Sequence, residues 1–590
     1  MAGFLGNAPI YVNGLLSLLF VFMLPGLALA ALLRIPDFPQ RWFAIVLTSL
    51  LASHLLVTLI AAFRLDPLLV FRAACILIIA LVTIAWMPRS RASAAMSRQR
   101  ATVQTSDLGW LLAGLATLGL IYFNVWKRGV PNIFSGGDVL VSWNAWATTW
   151  AEGNFPVGSY GYPQLIPTLW AVTYIFTGSP EQYFAFYIYL GLITIPILLN
   201  AVVLGRMVWW YPLVAGFALT WFIAEIRTPW LRSTLEEGFP DWVAAIFASC
   251  GVVLFVFSDP NGRFDRDKIT NALLALCLVT MAATVKPLHG LLALAVLAGI
   301  SADAWKYLAA AERNRFLAAA AGVLALPIIL YAIYYMHLRN GGVPNFPVDS
   351  VLAERLAVAL DLFNSTFTIP FRIMVVLGLL ICPFIRRVRW FALPLYIGVA
   401  AWANTAAYDL RNVLSFLLIG AFVLPYVLAR RWLDPAALPG GRQWPVGDSL
   451  VATIVTIAAL GLTSPLATND EKLQRRFADE QMRIDAGLDV NRKIGELLGR
   501  GCKLFSPTGS LYYITAFAPF RSQIQLYFYT LPLDDSLSNG LEKASGCTAV
   551  LYPLDRLHPS ILNLILKTAE DRQLTKVLES NRMVLLASGQ

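Results

Sequence analysis

The chain has 590 residues, of which 58% are hydrophobic and only 14% are charged. Soluble proteins carry roughly 25% charged residues, so this composition excludes an ordinary soluble globular protein. The formal net charge is +10, but the basic residues are spread over short loops. That distribution is typical of membrane orientation and does not indicate nucleic-acid binding.

Long apolar runs dominate the first 464 positions. Each is roughly 17 to 25 residues long, enough to cross a bilayer as a helix, so the sequence predicts an all-α polytopic membrane protein with about fourteen transmembrane helices. The first run is too long for a cleavable signal peptide and has no basic leader. The predicted spans are residues 10–33, 43–63, 67–87, 108–125, 183–204, 207–224, 242–257, 269–285, 288–303, 316–336, 369–385, 390–406, 412–429 and 447–464.

Lys and Arg are distributed unevenly between the alternate loops that these spans define. One set of loops holds nineteen of them and the other set holds nine. Because positively charged loops stay in the cytoplasm, the richer set is predicted to be cytoplasmic. The loops 126–182, 225–241 and 337–368, the turn near Lys286, the turn at 407–411 and the tail after residue 464 are then predicted to lie outside.

The C-terminal tail differs from the rest in composition. From Pro465 onward the charge density rises and no spanning run remains. Residues 470–499 and 559–579 have helical patterns, and residues 582–587 have the pattern of a final strand. We therefore predict a small extracytoplasmic α/β domain over residues 465–590. It follows N-terminal helices with a basic cytoplasmic loop (1–106) and a transmembrane region (107–464).

The six cysteines fall into two groups. Four lie in hydrophobic spans, where a small buried apolar side chain is expected. Cys502 and Cys547 are the two in the tail, and each precedes a strand-like segment. A disulfide between them is reasonable in an oxidising compartment, and two buried free thiols are the alternative.

Ionisable residues at the outer membrane surface are functional candidates, because burying a charge there is costly. The alternative for each is an interfacial charge that snorkels or forms an ion pair. Four groups share the predicted outer face although they are distant in sequence: Asp138; Glu236, Glu237 and Asp241; Lys286 and His289; and Tyr408, Asp409 and Arg411.

Aromatic residues follow Asp138 closely. Trp143, Trp146 and Trp150 fall at positions i, i+3 and i+7, so they share one face of a helix. Anchoring at the lipid interface is the usual reason for such a stripe. Stacking on a sugar is the alternative for one or two of them, or for Tyr160 and Tyr162.

Four segments of the chain resemble a known family. They are SWNAWATTWAEGNFPVGSYGYPQLIPTLW after Asp138, GFPDWVAAIFASCGVVLFVF, MAATVKPLHGLLALAVL and YDLRNVLSFLLIGAFVLP. Their order along the chain and their predicted side of the membrane are similar to those of the GT-C membrane glycosyltransferases. The resemblance is to the bacterial branch related to protein mannosyltransferases and lipid A aminoarabinose transferases. The resemblance covers roughly residues 107–430. The chain differs in its three additional spans before this region, and Asp138 stands without the second acid that many members carry.

The resemblance implies a transferase fed by a polyprenyl-phosphate sugar, with its active site at the periplasmic face of a bacterial inner membrane. Asp138 would be the general base, and the reaction would invert the anomeric carbon. The donor phosphate would be held by Lys286, Arg411 and His289. No cofactor is expected, and a divalent metal is not favoured because a monophosphate leaving group does not need one.

The remaining expected contacts are with substrates and the membrane. The acceptor would be an extracytoplasmic glycolipid, polysaccharide or protein, the sugar a hexose or pentose, and membrane lipids would surround the spans. Residues expected to line the substrate site are Trp143, Tyr160, Tyr162, Glu236, Glu237 and Asp241.

Two other classes remain open. A lipid or polysaccharide transporter often shows repeated halves, and we see no internal repeat. A ligase or polymerase of the O-antigen type uses a diphosphate-linked donor and tends to have an Arg-rich large outer loop. The loop 337–368 holds only Arg339 and Arg355.

Overall fold

The structure is a computed structural model. The residues that it describes include most of the predicted spans and much of the tail. The structure describes residues 8–33, 39–86, 105–125, 134, 139–156, 162–178, 182–208, 210–226, 231, 234–235, 237–258, 264–338, 352–405, 409–433, 493–507, 523–527, 535–554, 559–580 and 583–588. The chain divides into two compact units, one of residues 1–133, 149–178 and 182–466, the other of residues 134–148, 179–181 and 467–590.

Helices make up the first unit almost entirely, as the composition predicts. In chain order they are α1 (Ala8–Phe22), α2 (Leu24–Leu33), α3 (Gln40–Phe63), α4 (Pro67–Trp86), α5 (Thr105–Val125), α6 (Ala145–Ala151, which begins in the other unit), α7 (Leu165–Thr177), α8 (Gln182–Met207), α9 (Tyr211–Glu225), α10 (Pro240–Phe257), α11 (Arg266–Ala283), α12 (Gly290–Tyr307), α13 (Ala310–Leu338), α14 (Leu352–Thr366), α15 (Ile369–Ile381), α16 (Ala392–Thr405) and α17 (Leu414–Leu433).

The structure confirms a multi-helix membrane protein but does not confirm fourteen spans. Within the described segments, six helical stretches are long and apolar enough to cross a membrane, and a seventh results if the pair α15 and α16, bent by 110°, counts as one. The predicted span 447–464 lies outside the described residues. The other thirteen overlap helices, but several of these are too short to cross a core about 30 Å thick, since a helix rises only about 1.5 Å per residue.

Helix α10 is the centre of the first unit. It packs against α8, α11 and α17, and 94% of it is buried. A Cβ atom on Gly251 would lie 2.8 Å from Val279 Cγ1 and 2.9 Å from the backbone oxygen of Ala275. Only glycine therefore allows α10 and α11 to approach this closely, as small residues do between membrane helices. This packing carries the first turn of α10, with Asp241, close to the end of α11.

Helix α7 is absent from the predicted spans. It is only thirteen residues long, and all but its last two residues are buried. A segment enclosed by other helices needs no full bilayer length, so the length criterion overlooked it.

The tail unit is an α/β fold. A helix over residues 493–499, which we label α18, precedes the first strand. The strands are β1 (Lys503–Pro507), β2 (Ile524–Tyr527), β3 (Thr548–Pro553), β4 (Leu574–Ser580) and β5 (Met583–Ser588), and the later helices are α19 (Asp535–Lys543) and α20 (Pro559–Asp571). The sheet order is β2-β1-β3-β5-β4.

Strand β1 pairs in parallel with β2 and β3, whereas β5 pairs antiparallel with β3 and β4. Alternate residues of β3 enter two hydrophobic cores, Ala549 and Leu551 on one face, Val550 and Tyr552 on the other. A strand whose sheet is covered on both faces has a nearly continuous apolar sequence. The segment TAVLYP of β3 is such a sequence.

One prediction about the tail needs correction. The predicted helix 559–579 ends at Asp571, and residues 574–580 form β4 instead. The chain reverses at Gln573, which has a φ of 53° in the left-handed region, and a local apolar pattern does not reveal this turn. Of the predicted helix 470–499, the described part is α18.

Cys502 and Cys547 form a disulfide with their Cα atoms 4.4 Å apart. Both precede paired parallel strands, and the backbone N–H of Lys503 donates to the carbonyl oxygen of Cys547 at 2.9 Å. The register of β1 and β3 thus holds the two sulfur atoms together. Cys75, Cys250, Cys277 and Cys382 are free thiols.

Replacing Cys502 and Cys547 together by alanine is expected to destabilise the tail unit by about 2–4 kcal/mol, because the bridge closes a loop that the unfolded tail would otherwise sample freely. Hydrogen exchange of β1 and β3 in the full-length protein measures the effect as faster exchange. Wild-type protein treated with a reducing agent should match the double variant, and Cys75→Ala should leave exchange unchanged. Unchanged protection in the double variant would contradict the prediction.

Candidate functional site

The turn between α11 and α12 carries Lys286. Residues that precede proline are pushed into extended conformations, and Lys286, which precedes Pro287, has φ −136° and ψ 118°. The short 3₁₀ turn Pro287–His289 then leads into α12. This local geometry turns the Lys286 side chain away from its own helices and towards the start of α10.

Lys286 Nζ lies 2.7 Å from Asp241 Oδ1 and donates to Asn412 Oδ1 at 2.9 Å. It also lies over the ring of Tyr162, 5.6 Å from its centroid. Burial alone would lower the pKa of Lys286, but the Asp241 carboxylate and the Tyr162 side chain together raise it above its usual value. Lys286 is therefore a cation at every physiological pH.

Asp241 occupies the first turn of α10, directly after Pro240. Its side chain is only 5% exposed. A carboxylate in the first turn of a helix is stabilised by the partial positive charge of the helix N-terminus. Asp241 thus has two reasons to be ionised in a buried position, the helix end and Lys286.

Arg411 lies in a 3₁₀ turn, Leu410–Asn412, that precedes α17. Its Nε donates to Asp409 Oδ2 at 2.7 Å, and its backbone N–H donates to Asp409 Oδ1 at 2.9 Å. The guanidinium lies 4.4 Å from the ring centroid of Phe239. Trp402 Nε1 donates to the backbone oxygen of Asp409 at 2.9 Å and fixes the turn against α16.

These contacts assemble one charge cluster, which we call the outer cluster: Asp241, Lys286, Asp409, Arg411 and Asn412. The sequence predicts Asp241, Lys286 and Arg411 on one membrane face, and the structure brings them together. Lys286 and Arg411 each have a carboxylate partner within the protein, Asp241 and Asp409.

The pairing still leaves donors for a ligand. An ammonium has three N–H groups. Lys286 donates one of them to Asn412 and forms an ion pair with Asp241. Its side chain is 15% exposed, so an N–H that Asn412 does not accept can face a bound oxyanion. Asn412 is a residue that the sequence reasoning missed, although it stands next to Arg411 in the segment YDLRN.

His289 serves the packing of the cluster. Its Nε2 lies 2.5 Å from Ser415 Oγ, and its Nδ1 lies 3.1 Å from the backbone oxygen of Lys286. Both ring nitrogens are thus engaged by protein groups and the side chain is buried. His289 joins the start of α12 to α17 through Ser415. Neither ring nitrogen is directed at the predicted donor phosphate, because both already contact protein groups. Ser415 was not predicted.

The other predicted site residues are placed as follows. Tyr162 is 38% exposed, and Glu237 is half-buried in the turn before α10. Trp143 is buried in the other unit, where its ring packs on Trp146 at 5.2 Å. Outside the described residues lie Asp138, Tyr160, Glu236 and Tyr408.

The tryptophan stripe does not lie at a lipid surface. Trp143 and Trp146 are each 6% exposed, and Trp150 is fully buried. Trp150 Nε1 donates to Gln164 Oε1 at 3.0 Å, and Gln164 Nε2 donates to the Tyr162 oxygen at 2.8 Å. At least this tryptophan positions the segment that enters α7, because a buried indole N–H needs a partner.

An apolar cavity of about 660 Å³ adjoins the Lys286 turn. It lies between α3, α11, α12 and α13, and its volume is within the range of about 300–1,000 Å³ for ligand pockets. Thr284 and Pro287, on either side of Lys286, belong to its wall, as do Pro163 and Gln164 beside Tyr162. Most other wall residues are apolar, among them Leu291, Leu294, Leu324 and Ile328.

No family model matches the chain, and no curated protein matches it. Among solved structures, the chain is similar to ArnT from Cupriavidus metallidurans in the apo state, with 13% identity, a TM-score of 0.49, and 82% of this chain and 99% of that chain covered. It is also similar to ArnT from Cupriavidus metallidurans bound to undecaprenyl phosphate, with 13% identity, a TM-score of 0.46, and 82% and 98% covered. ArnT, a lipid A aminoarabinose transferase of the GT-C superfamily, belongs to the group that the four sequence segments resemble.

Proposed function

We propose that the protein is a membrane glycosyltransferase that moves a sugar from a polyprenyl-phosphate donor to an extracytoplasmic acceptor. The observation that supports this most is the outer cluster, which places Lys286 and Arg411 at the ends of membrane helices. Beside it lies an apolar cavity large enough for a lipid chain. The two cations suit a donor that carries a phosphate group, and the neighbouring cavity suits a lipid substrate. The charge distribution of the loops supports a periplasmic position for this face.

In the proposed reaction, an acceptor oxygen attacks the anomeric carbon as the bond from that carbon to the phosphate oxygen breaks. The electron pair of the broken bond leaves with the polyprenyl phosphate. An N–H of Lys286 and the guanidinium of Arg411 stabilise the charge that develops on this oxygen. Fixed cations do so without reorganisation, because Asp241 and Asp409 already hold them in place. A metal ion is not needed for a monophosphate leaving group.

The proton of the acceptor hydroxyl goes to Asp138 as general base, and attack from the face opposite the phosphate inverts the anomeric carbon. Tyr162, exposed beside Lys286, offers a ring on which the donor sugar stacks, and Tyr160 belongs to the same segment. Glu236 and Glu237 precede α10 and are proposed to bind acceptor hydroxyls. Asp241 is not proposed to bind substrate. Its carboxylate is instead proposed to hold Lys286 in position.

Purified protein supplied with a polyprenyl-phosphate sugar and an envelope lipid extract should transfer the sugar, and the same sugar on polyprenyl diphosphate should be a poor donor. Product is measured by mass spectrometry of the glycolipids. Preferential use of the diphosphate donor would assign the protein to the O-antigen type of ligase or polymerase. Movement of the intact donor across liposomes without transfer would make it a transporter.

In the same assay, Arg411→Lys is expected to lower kcat/KM for the donor at least about tenfold although the charge is kept. Lysine cannot reproduce the planar fork that donates to Asp409 and stacks on Phe239. Arg266→Lys, at an exposed position at the start of α11, is the matched control and should stay near wild type. Equal activity of Arg411→Lys and wild type would remove Arg411 from the donor site.

A further inference from the structure

The wall of the cavity contains a buried histidine with a ring nitrogen that an apolar occupant would leave without a partner. His54, in the middle of α3, is 5% exposed and lines the cavity. Its Nδ1 lies 2.8 Å from Thr168 Oγ1 of α7. Its Nε2 has no hydrogen-bonding partner in the part of the chain that the structure describes, and it is the polar atom on the opposite edge of the ring.

The hydrogen bonds around Thr168 decide which nitrogen carries the proton. Thr168 Oγ1 donates its single hydrogen to the Leu165 oxygen at 2.7 Å, so it accepts from His54 and the proton is on Nδ1. The other tautomer would leave an N–H at Nε2 without a partner, which is rarer in proteins than an unpaired acceptor. His54 is neutral in this arrangement and presents the Nε2 lone pair to the cavity.

Two more polar groups of the wall are acceptors as well. The hydroxyls of Thr280 and Thr284 donate to the backbone oxygens of Leu276 and Met281, at 2.7 and 2.6 Å. A hydroxyl that has donated its hydrogen retains only lone pairs. Lone pairs repel a phosphate and leave a plain hydrocarbon chain without a hydrogen bond, so this part of the wall suits a group that donates hydrogen.

We propose that the cavity is the binding site of a lipid that carries a hydroxyl group, and that His54 recognises the hydroxyl by accepting its hydrogen bond. The site goes beyond the proposed function, because binding requires neither donor nor transfer. Within the proposed function the occupant is the acceptor lipid, since a polyprenyl chain has no hydrogen to donate. His54 is then a positioning residue for the acceptor.

Two ligands and two proteins test the proposal. Farnesol has an apolar chain and a hydroxyl, and farnesyl methyl ether has the same chain without a donor. Full-length wild-type protein in detergent should bind farnesol at least about tenfold more tightly than the ether, since one hydrogen bond to a buried group is worth about this factor. His54→Leu should bind the two ligands within about threefold of each other.

The controls separate recognition from folding. His54→Leu should bind the ether as well as wild type does, which shows that the cavity is intact. His54→Gln keeps an acceptor oxygen and should retain the preference for farnesol. His337→Leu removes an exposed histidine of α13 that does not line the cavity, and it should also retain the preference. No preference in wild type, or a preference that persists in His54→Leu, would overturn the proposal.

The transfer assay distinguishes a hydroxyl of the acceptor lipid from a hydroxyl of the donor sugar. His54→Leu should raise KM for the lipid acceptor about tenfold and leave KM for the donor within a factor of about two. An increase confined to the donor would assign the hydroxyl to the transferred sugar and overturn the assignment to the acceptor. The farnesol assay is independent of turnover, so it stands or fails apart from the proposed transferase function.

Discussion

Lys286→Met is expected to lower kcat/KM for the polyprenyl-phosphate donor by about 10²–10³-fold, the usual cost of removing one charge-stabilising donor from an active site. Methionine fills much of the space of the lysine stem but supplies no cation and no N–H to the leaving phosphate. The loss should appear in both kcat and donor KM, because the phosphate is bound in the ground state and gains charge as the bond breaks. Initial rates at varied donor concentration measure both quantities.

A structural explanation of such a loss can be tested separately. Asp241 is 5% exposed and pairs with Lys286 at 2.7 Å, and removing one partner of a buried pair destabilises a protein by about 3–5 kcal/mol. The double variant Asp241→Asn with Lys286→Met removes both charges and should recover the yield and thermal stability of the protein. It should remain inactive, because the cation is still absent. Recovery of transfer together with stability would show that Lys286 only compensates the buried carboxylate.

Asp138→Asn is expected to reduce transfer by about 10²–10⁴-fold with normal expression, the range for loss of a general base. The substitution keeps the shape of the side chain and removes its capacity to take a proton. Asp138 itself lies outside the described residues. In sequence it directly precedes the short helical segment Val139–Asn144. Donor binding should be unaffected, so the loss should fall on kcat and not on donor KM.

The matched control is Asp66→Asn, in the loop before α4. Asp66 Oδ1 accepts a hydrogen bond from the backbone N–H of Leu69 at 2.8 Å, a role that asparagine can fill. Asp66→Asn should therefore retain transfer within a few-fold of wild type. Near wild-type turnover of Asp138→Asn in purified protein would exclude Asp138 as the base and would direct attention to Glu236 and Glu237.

The sequence determined the class of the protein and the positions of most helices. A bilayer requires a minimum apolar length of every segment that crosses it, so the signal is local and can be read without knowing any contact. The same locality explains what went wrong. Helix α7 is too short for the criterion, and the stripe of Trp143, Trp146 and Trp150 has the period of a lipid-facing surface although all three are buried.

Only the tertiary structure decided which side chains meet. Lys286 reaches Asn412 across 126 residues of sequence, and His54 reaches Thr168 across 114. Membrane helices pack through van der Waals contacts and small residues, which leave no hydropathy pattern that identifies the partner. The sequence could therefore place Asp241, Lys286 and Arg411 on one face, where charge is costly and stands out. It could not show that each cation is already paired, or that an unremarkable histidine inside an apolar span turns an acceptor towards a cavity.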